Sequence, residues 1–543
     1  MLPAVADGAR SIWGWGLADR FPDGEQRSAM GQWASALLGF PVGAPRDPVP
    51  LDALTLPLAS AACVPPASLA AICSQSRADR ASHAYGKSYP DILRGFLGQY
   101  PHPPDLVARP RTEQDVVDLL DWCDGARLAA IPFGGGTSVV GGVEADVSSR
   151  WRGAVTLDLR GLDRVLEVDE VSSAARIQAG ATGPVLNKQL AEHGFELRCF
   201  PQSYQFATLG GWIVTRAGGH YATVRTHVDD LVESVRMVTP TGPWESRRLP
   251  GSGAGPSPDR MVLGSEGTLG VVTEAWMRVV RPPRWRASAS VTFSDWDRAV
   301  EGLRGVAQAG LAPANCRLLD ATEAKINAVS HDGRHVLLLG FESDDHPLEA
   351  WMQRALAIAV EAGGACPKGP RYRDAGATGA DPTANSWRDA FFAGPYLRDT
   401  LISLGVIVDT FETAITWDRF DALHGALQAE LGDAMRRVCG AGTLSCRVTH
   451  VYPDGPAPYY TFLAPGRPGA ELEQWAELKA VASDVLIRLG ATITHHHAVG
   501  RMHRPWYAKQ RPEPFGRVLR AIKRSVDPSG ILNPGVLVAE ESP

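Results

Sequence analysis

Residues 131–142 read IPFGGGTSVVGG, with five glycines (Gly134, Gly135, Gly136, Gly141 and Gly142) interleaved with the hydroxyls of Thr137 and Ser138. Consecutive glycines let backbone N–H groups converge on an anion, and the hydroxyls add donors, so the chemistry implied is pyrophosphate binding. The dinucleotide pattern G-x-G-x-x-G fails because Val139 stands at the third glycine position, and no Gly-Lys-Ser/Thr loop occurs. Two more segments use the same residue types. PQSYQFATLGGWIVTRAGG (201–219) sets Gly210, Gly211, Gly218 and Gly219 among hydroxyls and Arg216. LGSEGTLGVVTEA (263–275) sets Gly264, Gly267 and Gly270 around Ser265, Glu266 and Thr268. Three such segments suit one large phosphorylated cofactor threaded between loops better than three unrelated turns. Further on, THHHAVG (494–500) carries three adjacent histidines, which taken alone suggest a metal site. Placed on a strand, His495 and His497 share a face and His496 points away.

These groups need a scaffold. Ahead of the first loop, VARPRTEQDVVDLLDWCDGARLAAIPF reads as strand, helix and strand, with Thr112 as the helix N-cap. Strand-like runs follow at 154–159, 164–170 and 174–180, then a short helix at 184–194. ESVRMVTPTG reads as a strand entering a turn, and PGSGAGPSP (250–258) as a loop with nothing to bury. From about 286 to 490, strands such as VLLLGF and VIVDTFE alternate with amphipathic helices such as WMQRALAIAVEAG, so the fold class is α+β. The last helix is stopped by Asp527-Pro528.

Composition narrows the function classes. The 543 residues carry 54 Lys+Arg against 60 Asp+Glu with both signs interspersed, which disfavours nucleic-acid binding. Fifty-six glycines without a three-residue period exclude collagen, and 44% hydrophobic residues exclude a disordered chain. Eight scattered cysteines without a C-x-x-C pair suit a reducing compartment. The start lacks a signal-peptide pattern, no apolar run reaches spanning length, and the terminal ESP is not a peroxisomal signal, so a cytoplasmic protein is expected.

PFGGGTSVVGG, TLGG and GSEGTLGVVTE together resemble the cofactor signature of FAD-binding oxidases of the vanillyl-alcohol oxidase type, and ILNPG (531–535) extends the likeness. The resemblance implies a two-subdomain α+β FAD-binding domain joined to an α+β substrate cap. The expected division is an N-terminal extension (1–100), the FAD domain (101–285), the cap (286–505) and a C-terminal segment packing back on the FAD domain (506–543). It implies FAD-contacting positions at Pro132, Gly134, Gly135, Gly136, Thr137, Ser138, Pro201, Ser203, Thr208, Gly210, Gly211, Thr215, Arg216, Ala217, Gly218, Glu266, Gly267, Thr268, Leu269, Gly270 and Val272. Covalent members attach flavin through His or Cys; no His lies in 131–142, so non-covalent FAD is expected.

WGWG (13–16), PYLRD (395–399), FETAITWD (411–418), CRVTHVYPDGPAPYYTF (446–462) and THHHAVG resemble the alkyldihydroxyacetonephosphate synthase branch of this family. That likeness implies exchange of the acyl group of acyl-dihydroxyacetone phosphate for a fatty alcohol, through an adduct at flavin N5 and without net redox. It assigns the substrate phosphate to Arg398 and catalysis to Tyr459, His495, His496 and His497, with no metal. The types fit: a guanidinium offers forked donors to a phosphate dianion, and His supplies a base. Lipid substrates carry the expectation of peripheral membrane contact, and a homodimer is expected. The rival branch, D-2-hydroxy acid dehydrogenases of the D-lactate or glycolate type, has H-x-x-H-x-G-D-G-N followed by E-H-G-x-G, whose His and Glu bind a metal. Here His450 survives, but Arg447 replaces the first His and His496 the Glu. The chain also departs from the synthase pattern: Ala498 replaces a glycine, and Pro453-Asp454 alters the loop before Tyr459.

Overall fold

The computed structural model describes residues 8–374 and 382–540; residues 1–7 and 541–543, the outermost parts of the expected terminal segments, lie outside the described residues. Among the described residues the main strands form three sheets.

In the first sheet the order is Cys73–Ser74, Leu106–Ala108, Ala154–Asp158 and Ala129–Phe133, the last three parallel. The crossover is the helix Glu113–Ala126. Its start is fixed by a reciprocal cap: Thr112 Oγ1 accepts from the Asp115 N–H, and the Asp115 carboxylate accepts from the Thr112 N–H. Val116, Leu119, Leu120 and Cys123 recur at helical spacing and are buried against the sheet. The second sheet is antiparallel, in the order Val165–Asp169, Ala174–Gln178, Val271–Arg278, Val232–Thr239 and Gly242–Glu245. The helices Gly183–Ala191 and Leu209–Thr215 share its core, where Trp212 is fully buried.

The third sheet has seven antiparallel strands: Arg371–Arg373, Trp285–Phe293, His335–Ser343, Asn315–Leu319, Thr443–Val451, Pro456–Pro465 and Val406–Glu412. Helices Trp296–Gln308, Glu349–Glu361, Trp417–Cys439 and Glu471–Arg488 contribute to the largest apolar core against it. Strand Trp285–Phe293 alternates buried and half-exposed positions, the period-two pattern of a sheet with one covered face.

Both ends of the chain return to the site. Trp15 and Leu17 pack with Phe206 and Tyr396, and the Trp15 N–H donates to Asp399 Oδ2 at 2.6 Å. After the helix Glu513–Val526, the Asp527 carboxylate accepts the N–H groups of Gly530, Ile531 and Leu532. That turn sets Leu532 beside Ala130 of the first sheet. Residues 250–257 contain no helix or strand and are exposed. All eight cysteines are free, and no described helix is long and apolar enough to cross a membrane.

Candidate active site

A cavity enclosing about 1640 Å³ of non-atom space, its mouth included, lies where the glycine loop after Ala129–Phe133, the two segments of the second sheet and the strands of the third meet. Pro132, Gly134–Ser138, Pro201, Ser203, Thr208, Gly210, Gly211, Thr215, Ala217, Gly218, Glu266, Gly267, Gly270, Val272, Arg398, Tyr459, His496 and His497 line it.

Four of the residues singled out in the sequence do not. Arg216 turns to Asp229, 2.8 Å away; Thr268 donates to the Ser265 carbonyl; Leu269 is buried in the second core. His495 packs against His227, ring centroids 4.3 Å apart, with Nε2 2.7 Å from the Tyr452 hydroxyl.

The glycines are needed by protein neighbours as well as by a ligand. A Cβ on Gly134 would lie 2.2 Å from Thr208 Oγ1, and one on Gly135 2.1 Å from the Phe206 carbonyl oxygen. The first loop therefore packs main chain to main chain against the second segment. Gly136 adds a φ of 64°, the left-handed region where a side chain is strained.

Beneath the histidines lies Glu412, at the end of Val406–Glu412. Its carboxylate accepts the main-chain N–H groups of His495 (2.5 Å), His496 (3.2 Å) and His497 (2.9 Å) and the Thr494 hydroxyl (2.5 Å). Three successive N–H groups on one acceptor are incompatible with strand alternation, so 494–497 is a bend rather than a strand. Burial alone would raise the Glu412 carboxyl; contact with His496, His497 and His495 and the Thr494 hydroxyl lowers it well below the usual range, so the carboxylate and not the rings carries the charge of the cluster. Burial pushes His496 down to about 3 and His497 to about 4, against the opposing pull of Glu412, so both imidazoles are neutral near pH 7.

Tyr459 stands opposite Arg447 in the register of neighbouring strands, and the Arg447 guanidinium lies 3.9 Å above its ring centroid. The Tyr459 hydroxyl donates to Thr410 Oγ1 at 2.9 Å, and burial raises its pKa, so it remains protonated. His496 stacks near the same ring and His497 meets it edge-on at 5.4 Å. Arg398, on the helix Pro382–Ser403, donates through Nε to Asp399 and through Nη1 to the Lys87 carbonyl; its buried Nη2 ion-pairs with Asp399 at 2.7 Å without hydrogen-bond geometry.

Sequence reasoning missed Trp15, Glu412, Arg317 and Lys87. Arg317 lines the cavity, and burial, then Arg447, lowers it to about 9. Burial and Arg10 lower the Lys87 ammonium to about 7. The motifs WGWG and FETAITWD contain Trp15 and Glu412 without announcing their roles.

The FAD binding domain family matches residues 104–246, and the FAD linked oxidases, C-terminal domain family matches residues 282–537. The chain belongs to the FAD-linked oxidase family. A relative named alkyldihydroxyacetonephosphate synthase, from Dictyostelium discoideum, is 29% identical over 485 residues, covering 84% of this chain and 77% of its own. A solved structure of an alkyldihydroxyacetonephosphate synthase superposes with a TM-score of 0.79 at 24% identity, over 97% of this chain and 98% of that one, a likeness of fold. The glycolate oxidase subunit GlcD of Bacillus subtilis (strain 168) is 26% identical over 456 residues, covering 82% of this chain and 91% of its own.

FAD is the family's cofactor and this chain's. The residues present fit it: among the described residues, the N–H groups of residues 135–139 donate to no protein acceptor, although the loop lines the cavity. Ligand atoms of His450, His495 and His496 lie within 4.8 Å of one another, a spacing a cation would accept. The neighbouring guanidiniums of Arg447 and Arg317 oppose positive charge there.

Proposed function

We propose that this FAD-dependent enzyme exchanges the acyl group of an acyl-dihydroxyacetone phosphate for a fatty alcohol. The observation that carries the reading is Arg447 lying 3.9 Å over the Tyr459 ring. In the dehydrogenase branch that position belongs to a metal-binding histidine, and a guanidinium cannot ligate a metal.

When bound, FAD supplies an electrophilic ring system beside which the reacting carbon is held. Arg398, on the cavity wall with Asp399 ion-paired to its Nη2, holds the phosphate. His497, neutral and backed by Glu412 3.5 Å from its Nδ1, takes a proton from the carbon next to the substrate carbonyl, and Glu412 stabilises the imidazolium that forms. Tyr459, kept protonated by burial, turns its single O–H from Thr410 to donate toward the substrate oxygens. His496 narrows the cavity beside the same ring, while His495 acts through Tyr452 as a positioning residue.

The test incubates the holoenzyme with palmitoyl-dihydroxyacetone phosphate and labelled hexadecanol. Labelled alkyl product without lasting flavin bleaching is expected. Absence of that product, with bleaching by D-lactate, would replace this reading with the dehydrogenase one. The same reading includes non-covalent FAD, released by acid precipitation; a homodimer, read by sedimentation; and peripheral binding to lipid vesicles. It also retains the four-part division of the chain.

A further inference from the structure

We infer that Arg447 forms a second anion subsite, separate from Arg398, that receives the carboxylate of the departing fatty acid. The inference rests on the exchange reading above.

Arg447 is 9% exposed and lines the cavity. Its Nη1 donates to Glu323 Oε1 at 2.5 Å, but Nε is buried without a hydrogen-bond partner. Leaving a guanidinium N–H dry and unpaired is costly, and the cost is removed when an acceptor enters the cavity. Charge points the same way. Glu323 is shared with Ser445, which donates to Oε2 at 2.6 Å, and the Arg317 guanidinium is a second buried cation beside Arg447. The nearby Asp320 carboxyl is raised by burial to about 7, so it brings little negative charge below neutrality. Arg447 therefore shares Glu323 with Ser445 and keeps Nε for an incoming acceptor, whereas Arg398 has Asp399 at 2.7 Å. Arg398 sits on the helix that meets Trp15 and Lys87; Arg447 stands on the seven-stranded sheet beside Tyr459. Two walls thus each present a cation to one cavity.

The proposed reaction needs two. The acyl ester has a phosphate at one end and an ester carbonyl at the other. In the exchange the ester C–O bond breaks and the carboxylate leaves with the bonding pair; an ether C–O bond forms to the same carbon, and the alcohol's proton is released. Ester and alcohol become ether and carboxylate plus a proton, with no net electron transfer. Arg447 meets the acyl oxygens as a neutral carbonyl before the exchange and as a full carboxylate after it, so its attraction grows as the bond breaks.

The test titrates holoenzyme calorimetrically with hexanoate and, separately, with inorganic phosphate. Arg447→Met should weaken hexanoate about tenfold or more and leave phosphate within twofold; Arg398→Gln should do the reverse. Since Arg447→Met strands Glu323, the double variant R447M/E323Q removes both charges, and FAD content reports its folding. Unchanged hexanoate binding in a flavin-loaded R447M/E323Q protein overturns the inference, as does selective loss of phosphate binding. If ether exchange proceeds while either of those outcomes is seen, only this subsite fails. If hexanoate binding depends on Arg447 while D-lactate bleaches the flavin and no ether forms, the subsite stands and the exchange reading falls.

Discussion

The Glu412 carboxylate accepts the main-chain N–H of His497 at 2.9 Å, so the last residue of one strand fixes the path of a loop 85 positions later. The same carboxylate holds the two preceding histidines, and its negative charge lies under both cavity-facing rings. Glu412→Gln keeps the shape but replaces one acceptor oxygen with a donor facing N–H groups. Turnover should fall about 100-fold, roughly 2.7 kcal/mol of barrier, with flavin content retained. Steady-state rates beside the 450 nm absorbance check it; a kcat within threefold of the parent would show that the carboxylate only shapes the loop.

Asp399 holds Arg398 through Nε and accepts the Trp15 N–H through its other oxygen. Asp399→Asn loses the charge that aims the guanidinium, so KM for the phosphorylated substrate should rise about tenfold, near 1.4 kcal/mol, while kcat stays within threefold. Equal loss of kcat and kcat/KM would mean that the pair supports the reacting atoms instead of the phosphate.

How much of this was legible in the sequence depended on distance along the chain. The glycine segments were readable because Gly and hydroxyl types encode a local backbone requirement, and Thr112 was readable because its partner Asp115 is three residues away. The α+β alternation followed from periodicity. Glu412 was invisible in its role: nothing in FETAITWD announces that its carboxylate closes on residues 494–497. Trp15 meets Asp399 across 384 positions, a relation no spacing rule reaches. The glycine loop reads in the sequence as a ligand cradle, yet Gly134 and Gly135 are equally required by Thr208 and Phe206.

Ala498 occupies the position where the synthase pattern has glycine, and its φ is 70°. The Cβ of an L-residue is strained there by about 1–2 kcal/mol, partly offset by the extra freedom glycine has when unfolded. Ala498→Gly should therefore stabilise the protein by about 1 kcal/mol. The midpoint of guanidinium denaturation, followed by tryptophan fluorescence, measures it. A lower midpoint would mean that the methyl group's contacts in this 9%-exposed position outweigh the strain.

His424 lies in the cap core, stacked on Trp296 with ring centroids 5.2 Å apart and with Nδ1 3.1 Å from the Tyr460 hydroxyl. Burial lowers its pKa to about 4, the residual attraction of Asp297 being smaller, while in the unfolded chain it titrates near 6.5. Between those values the unfolded chain binds a proton that the folded one refuses. The contribution is therefore complete above pH ~6.5 and is lost as pH falls toward 4, at up to about 1.4 kcal/mol per pH unit. His424→Phe removes the titration at the expense of one hydrogen bond. The variant should be the less stable protein at pH 8 and gain on the parent steadily from pH 6.5 to 4.5. Melting temperatures across that range, on holoenzyme in matched ionic strength, decide it: a parallel pair of curves would place the protonated imidazole comfortably inside the fold.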